Sequence, residues 1–309
     1  MLKKILVKFK GYLDIKKSFK LASFVLENGK YYIENGKFFF IKPNDKRRCV
    51  CFKVKSKNKN PRLFNEGSFL FTPYKLLLIN KDMACTFVRD SQRYNLIQEK
   101  LNNYLTKLPY KTMECTFLSE YNLIISNVVK GNQFNDDKHL YQFIEYYFKH
   151  INPNNFEKKV VDIGNDRKEV IYCPQHGDCY SKNIFWNNEE PTLIDLDDVD
   201  LYPLFYDTFY HIIASKHENA FCIFKSDSFK TKIRNFYQNK VGNFASDLVD
   251  FYLGAYVYFW VNKMERKMKF HEIHFYLQWF EKADLSSFPT VLKAMEKYRN
   301  NLRIFRIKR

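Results

Sequence analysis

Three oxygen-bearing side chains stand at suggestive spacings in the second half of the chain. Asp178 lies in HGDCYSKN, residues 176–183, and Asn183 closes that stretch five positions later. Asp195 follows in LIDLDD, residues 193–198. Between Asn183 and Asp195 the chain reads NIFW, NNEEP and TLI, which predicts two short strands joined by a turn. A hairpin brings its ends together, so Asn183 and Asp195 share one edge, with Asp178 in the loop before them. Two carboxylates and an amide oxygen then converge. Hard oxygen donors of this kind suit Mg2+, which prefers carboxylates, water and substrate phosphates. A phosphoryl-transfer site needs such ligands, and also a carboxylate held off the metal to take a proton from the attacking hydroxyl. Asp178 fits the base, and Asn183 and Asp195 fit the cation ligands. Each also has an ordinary reading: a turn aspartate capping its own loop, a strand-edge amide and an Asx turn.

The elements that must position these groups fall into two parts. Residues 1–130 read mainly as strands. YYIENGKFFFI turns at Glu34-Asn35-Gly36, RRCVCFKVK alternates, and KLLLINKDMACTFVRD turns near Asn80-Lys81-Asp82. One helix interrupts them: Tyr94, Ile97, Leu101, Tyr104, Leu105 and Leu108 recur every three or four positions behind Ser91, a candidate N-cap. YNLIISNVVKG, residues 121–131, reads as a further buried strand. Residues 131–309 read as mostly helical, beginning with a helix capped by Asp136, with a hairpin at Gly164-Asn165-Asp166. The expectation is an α+β chain of two lobes, 1–130 and 131–309, in which residues 1–60 form an added sheet or a partner surface, and in which the cleft between lobes is a natural ligand site.

Composition narrows the function classes. The 309 residues carry a net charge of +17, which suits nucleic acid, anionic lipid or polyphosphate ligands. The lysines are spread along the chain, and neither zinc-finger spacing nor an aromatic RNA-binding signature is present, so no nucleic-acid partner is expected. The basic surface is compatible with peripheral contact with an anionic membrane or a lipid-linked glycan. Seven cysteines, an odd number without C-x-x-C spacing, read as reduced thiols. The start, MLKKILVKFKGYLDIKK, has no long apolar run, and the expected location is cytoplasmic.

HGDCYSKN with IDLDD resembles the aminoglycoside phosphotransferase and choline kinase families, small-molecule kinases related to the protein kinases. The Asp-to-Asn spacing matches the kinase catalytic loop H-R-D-L-x-x-x-N. HGD in place of HRD is the small-molecule variant, and Asp195 takes the position of the DFG aspartate. YPLFYDTF, with Pro203 and Asp207, is similar to the usual continuation into a helix. The resemblance implies a two-lobed protein-kinase-like fold, ATP (with GTP as the other nucleotide) and Mg2+ as cofactors, Asp178 as catalytic base, Asn183 and Asp195 as metal ligands, and His176 as the organiser of the loop. It also implies a small-molecule hydroxyl acceptor: a sugar, an amino alcohol or an aminoglycoside, with cell-envelope glycan synthesis as one setting.

The first lobe departs from that pattern. The family expects a strand lysine paired with a helix glutamate. Glu99 is the best glutamate, while Arg89 stands near the expected lysine and Lys53 is the alternative. Arg89 holds phosphate through a planar fork rather than a compact ammonium. Gly67, in FNEGSF, is the lone glycine of a phosphate-covering loop or a plain hairpin turn. Asp197 and Asp198 read as substrate contacts or as loop solvation, and Lys182 as a phosphate ligand or a solvated lysine. Cys179 reads as packing. Tyr256 and Trp260 read as core or as an aromatic cage for a quaternary ammonium. A lipopolysaccharide-core sugar kinase shares the same motif logic, and a nucleotide-binding pseudokinase is the non-catalytic alternative.

Overall fold

The computed structural model describes residues 23–26, 29–34, 37–41, 49–53, 68–71, 75–79, 83–88, 91–119, 122–163, 166–244, 247–266, 270–296 and 298. In chain order the strands and helices begin with β1 (Ser23–Leu26), β2 (Gly29–Glu34), β3 (Lys37–Ile41), β4 (Cys49–Lys53), β5 (Ser68–Phe71), β6 (Lys75–Ile79) and β7 (Met83–Val88). Then come α1 (Ser91–Tyr104), β8 (Lys111–Thr112), β9 (Cys115–Leu118), β10 (Leu123–Asn127), β11 (Asn132–Gln133) and α2 (Asp136–His150). The site region holds β12 (Glu157–Ile163), β13 (Asp166–Gln175), β14 (Ile184–Asn187), β15 (Glu190–Leu193) and β16 (Asp200–Pro203). Five helices follow: α3 (Tyr206–Lys216), α4 (Ala220–Lys225), α5 (Asp227–Lys240), α6 (Leu248–Arg266) and α7 (Phe270–Lys282). A last helical stretch covers 289–296.

These elements form two compact units, one of residues 1–99 and 113–130, the other of residues 100–112 and 131–309. The architecture is α+β, with a strand-rich first unit and a helix-rich second. In the first unit β1 to β4 make a four-stranded sheet in sequence order, and a second sheet runs β5-β6-β7-β10-β9. The aromatic run at Glu34 folds as the hairpin its Asn-Gly pair predicts, with Glu34 opposite Lys37. β6 and β7 likewise pair as neighbours, Ile79 opposite Ala84. Tyr94 and Ile97 of α1 are buried as their spacing requires, and the Tyr94 ring meets Phe117 edge-on at 6.3 Å.

The second unit has a continuous core built from α2, α3, α5, α6 and α7, with Phe143, Phe205, Phe209, Tyr252 and Phe280 at its centre. Each fully buried ring of this kind contributes about 1.5–3 kcal/mol of transfer free energy. Two small sheets lie within the unit: β11-β14-β15-β8, and β12-β13-β16. The hairpin expected around Gly164 is β12 with β13, Ile163 opposite Asp166. The hairpin expected between Asn183 and Asp195 is β14 with β15.

Three expectations shift by a residue or two. Asn135, not Asp136, caps α2: its Oδ1 accepts the Lys138 N–H at 3.1 Å, and its own N–H reaches His139 Nδ1 at 3.0 Å. Ser91 is the first residue of α1, and its hydroxyl accepts from Asn122 Nδ2 at 2.9 Å. α3 starts at Tyr206 because Asp200–Pro203 pairs with β13 as a strand, a pairing that periodicity over four residues does not announce. Tyr256 and Trp260 are 0% and 4% exposed, so the cage reading gives way to core.

The β14–β15 loop is two residues long, Asn188 and Glu189, with φ of 46° and 68°. Such a turn suits glycine at its second position, whereas a side chain in this region costs about 1–2 kcal/mol. Glu189→Gly is expected to raise stability by about 1 kcal/mol, read as an increase in the unfolding midpoint.

Candidate functional site

The loop from His176 to Asn183 leaves β13 and is fastened at its first peptide groups. His176 N–H and Gly177 N–H each donate to the carboxylate of Asp207, both at 2.8 Å. Asp207 sits fully buried in the first turn of α3. Burial pushes its carboxyl above the usual range, against the pull of His176, the two N–H groups and Lys263. Gln175 completes the joint: its Oε1 accepts from Asp207 N–H at 2.9 Å and Tyr147 Oη at 3.1 Å, while its Nε2 donates to the Pro203 carbonyl at 2.7 Å.

His176 organises the loop as expected of it. Its Nε2 lies 2.8 Å from the Ile194 carbonyl, which can only accept, so Nε2 carries the proton. Nδ1 is then the acceptor for Asp178 N–H at 3.3 Å. One imidazole thereby links the loop of Asp178 to the residue before Asp195. Gly177 has φ of 80°, and a Cβ there would run into the Tyr202 hydroxyl and the Asp198 carbonyl. The motif needs glycine both for the left-handed backbone and for that close approach.

The same short segment fixes the other two groups. Asn183 Nδ2 donates to the Asp178 carbonyl at 2.9 Å and lies 3.4 Å from Asp178 Oδ2. Its amide oxygen is therefore the atom available as an acceptor. Ile194 N–H donates to the Asn183 carbonyl at 3.0 Å, which closes the base of the hairpin and sets Asp195 next to it. Asp195 is exposed, with φ of 58° and ψ of 61°, a left-handed conformation that aspartate tolerates better than most residues. Both carboxylates act on one phenol: Tyr180 is pushed up by burial first, then by the charges of Asp178 and Asp195. Asn183 is thus joined to Asp178 by its side chain and to the residue before Asp195 by its backbone.

Lys263 was missed. It is 9% exposed and reaches from α6 to the Gly177 carbonyl at 2.9 Å, the Tyr202 hydroxyl at 3.0 Å and the Asp198 carboxylate at 3.2 Å. Tyr202 donates its own proton to the Asp198 carbonyl at 2.5 Å. The signal was present in AYVYFWVNK: a lysine at the end of a long apolar run is buried only with partners. Asp198 is accordingly part of this joint, which answers its choice between substrate contact and loop solvation. Tyr210 was also missed, and it donates to Asp178 Oδ1 at 2.6 Å. A tyrosine among aromatics gave no sign of it.

Lys182 is exposed, and Glu99 is on the exposed face of α1 in the first unit. Arg89 and Gly67 lie outside the described residues, and Lys53 falls in β4. Cys179 is fully buried, and burial pushes its thiol up, so it packs rather than reacts. Among the described residues, no group of three or more His, Cys, Asp or Glu can hold a metal ion. The donors the loop offers are two carboxylates and one amide oxygen. That set fits a hard divalent cation that keeps water and phosphate in its shell, and not zinc or another soft-ligand metal.

Asp207→Ala is expected to leave two buried N–H groups unsatisfied, at about 1–3 kcal/mol each, and Asp207→Asn to cost less because one acceptor remains. Lys263→Met withdraws the cation from the Gly177 carbonyl and from Asp198; with Asp198 partly solvated, the loss is expected at about 1–3 kcal/mol. Denaturant unfolding of the three variants measures both.

Neither a family model nor a curated protein matches the chain. Solved structures do. An amicoumacin kinase, hAmiN, in complex with AMP-PNP, Ca2+ and Ami, is similar at 11% identity over 83% of this chain and 85% of that one, with a TM-score of 0.37. The Lpg2603 kinase of Legionella pneumophila, bound to IP6, is similar at 12% identity over 71% and 80%, with a TM-score of 0.25. At such scores neither likeness bears on function, which rests on the side chains themselves.

Proposed function

We propose that the chain is a small-molecule kinase of the protein-kinase-like type, which transfers the γ-phosphoryl group of ATP to an alcohol. The observation that supports this reading is the tie between Asn183 and Asp178: the amide nitrogen holds the carboxylate-bearing loop, which leaves the amide oxygen as the acceptor. Asp178 orients the acceptor hydroxyl and takes its proton as the oxygen bonds to phosphorus and ADP leaves. Asn183 Oδ1 and the Asp195 carboxylate would hold a divalent cation, which would neutralise phosphate charge. His176 keeps the two halves of the site in register through Ile194. GTP is the second nucleotide to test, and the acceptor is a sugar, an amino alcohol or an aminoglycoside.

A transfer screen with ATP and GTP against those three acceptor classes tests the reading directly. With the acceptor found, Asp178→Asn is expected to lower turnover by about 10²-fold or more while Mg-ATP still binds. Asp195→Ala is expected to weaken nucleotide binding only when the divalent cation is present. Normal phosphorylation by the Asp178→Asn protein would remove the base assignment.

A further inference from the structure

Asp178 is gripped at both of its ends. Asn183 holds the backbone carbonyl and approaches Oδ2, and the Tyr210 phenol donates to Oδ1 at 2.6 Å. A phenol-to-carboxylate bond of this length is the strong, charge-assisted kind. We propose that Tyr210 is a positioning residue for phosphoryl transfer: by occupying Oδ1 it fixes the plane of the Asp178 carboxylate and reserves Oδ2, on the Asn183 side, for the proton of the acceptor hydroxyl. The inference rests on the transferase reading above and adds which oxygen does the work.

The need for such a restraint follows from the side chain. The terminal torsion of aspartate is broad and roughly two-fold, so an unrestrained carboxylate presents either oxygen over a range of angles. One strong donor removes that degeneracy. Tyr210 is well placed to supply it, because its own position is set by the helix that also anchors the loop backbone. Asp207 holds the His176 and Gly177 peptides, and Tyr210 stands three residues later on the same face of α3. The Tyr210 ring is parallel to Tyr206, at 7° with centroids 6.2 Å apart. Tyr206 is fully buried, and it contacts Tyr202 at 4.3 Å and Tyr256 at 4.9 Å. A single rigid helix therefore sets both where the base sits and how it is turned. In the transfer step the acceptor O–H bond breaks toward Oδ2, the new O–P bond forms, the bond to ADP breaks, and Tyr210 keeps its proton throughout. Effective proximity is lost steeply when a reacting group is free to rotate away.

Tyr210→Phe tests this, since it keeps the ring and its stacking and removes only the donor. With wild-type acceptor turnover in hand, the single-turnover transfer rate is expected to fall about tenfold or more. Mg-ATP affinity and the KM for acceptor are expected to stay within about twofold, and the unfolding midpoint to be retained. The ratio of ATP hydrolysis to transfer is expected to rise, because water needs no oriented base as strictly as a bound alcohol does. A structural role would move the midpoint without moving that ratio. An unchanged transfer rate, or a loss matched entirely by unfolded protein, overturns the Tyr210 assignment alone. Wild-type protein that phosphorylates none of the acceptors removes the transferase reading and this inference with it.

Discussion

The second unit depends on one carboxylate receiving two consecutive peptide N–H groups. Asp207 is without solvent contact, yet its oxygens take His176 N–H and Gly177 N–H at equal distances. Leaving either donor buried and unmet would cost about as much as a typical destabilising mutation. The joint also has direction. It sits at the first turn of α3, where helix N–H groups favour negative charge. The loop bearing Asp178 is therefore pinned to the helical core rather than carried by the strands on either side.

The other constraints extend that joint. His176 transmits position to Ile194, and the hairpin closes on Asn183. Gly177 lets Tyr202 and Asp198 come close, and Lys263 bridges all three. A buried ammonium is costly to desolvate unless its donors are taken up. Here a carbonyl, a hydroxyl and a carboxylate take them, so the lysine binds the loop to α6 with defined geometry.

Much of this was legible in the sequence, and the division has a physical basis. The hairpin between Asn183 and Asp195, and the loop of Asp178 before it, were readable because their relation is local: a loop, a two-stranded turn and a fixed spacing. The β2–β3, β6–β7 and β14–β15 hairpins were readable for the same reason, as was the amphipathic α1. What could not be read was long-range. Lys263 lies 86 residues from Gly177, and Tyr210 lies 32 from Asp178. No periodicity encodes which aromatic hydroxyl meets which carboxylate. β8 and β11, two residues each, were too short to announce themselves, and β16 is paired with β13, a partner distant in sequence. The cap of α2 moved by one position because neighbouring polar residues compete for the same N–H groups.

Lys263 has a consequence for biosynthesis. The ribosome delivers the complete HGDCYSKN-to-LIDLDD stretch well before it delivers the cation that braces it. A nascent polypeptide that has reached residue 240 holds every proposed reactive group and still lacks α6. Until α6 has been made, the Gly177 carbonyl and the Asp198 carboxylate lack the ammonium that braces them.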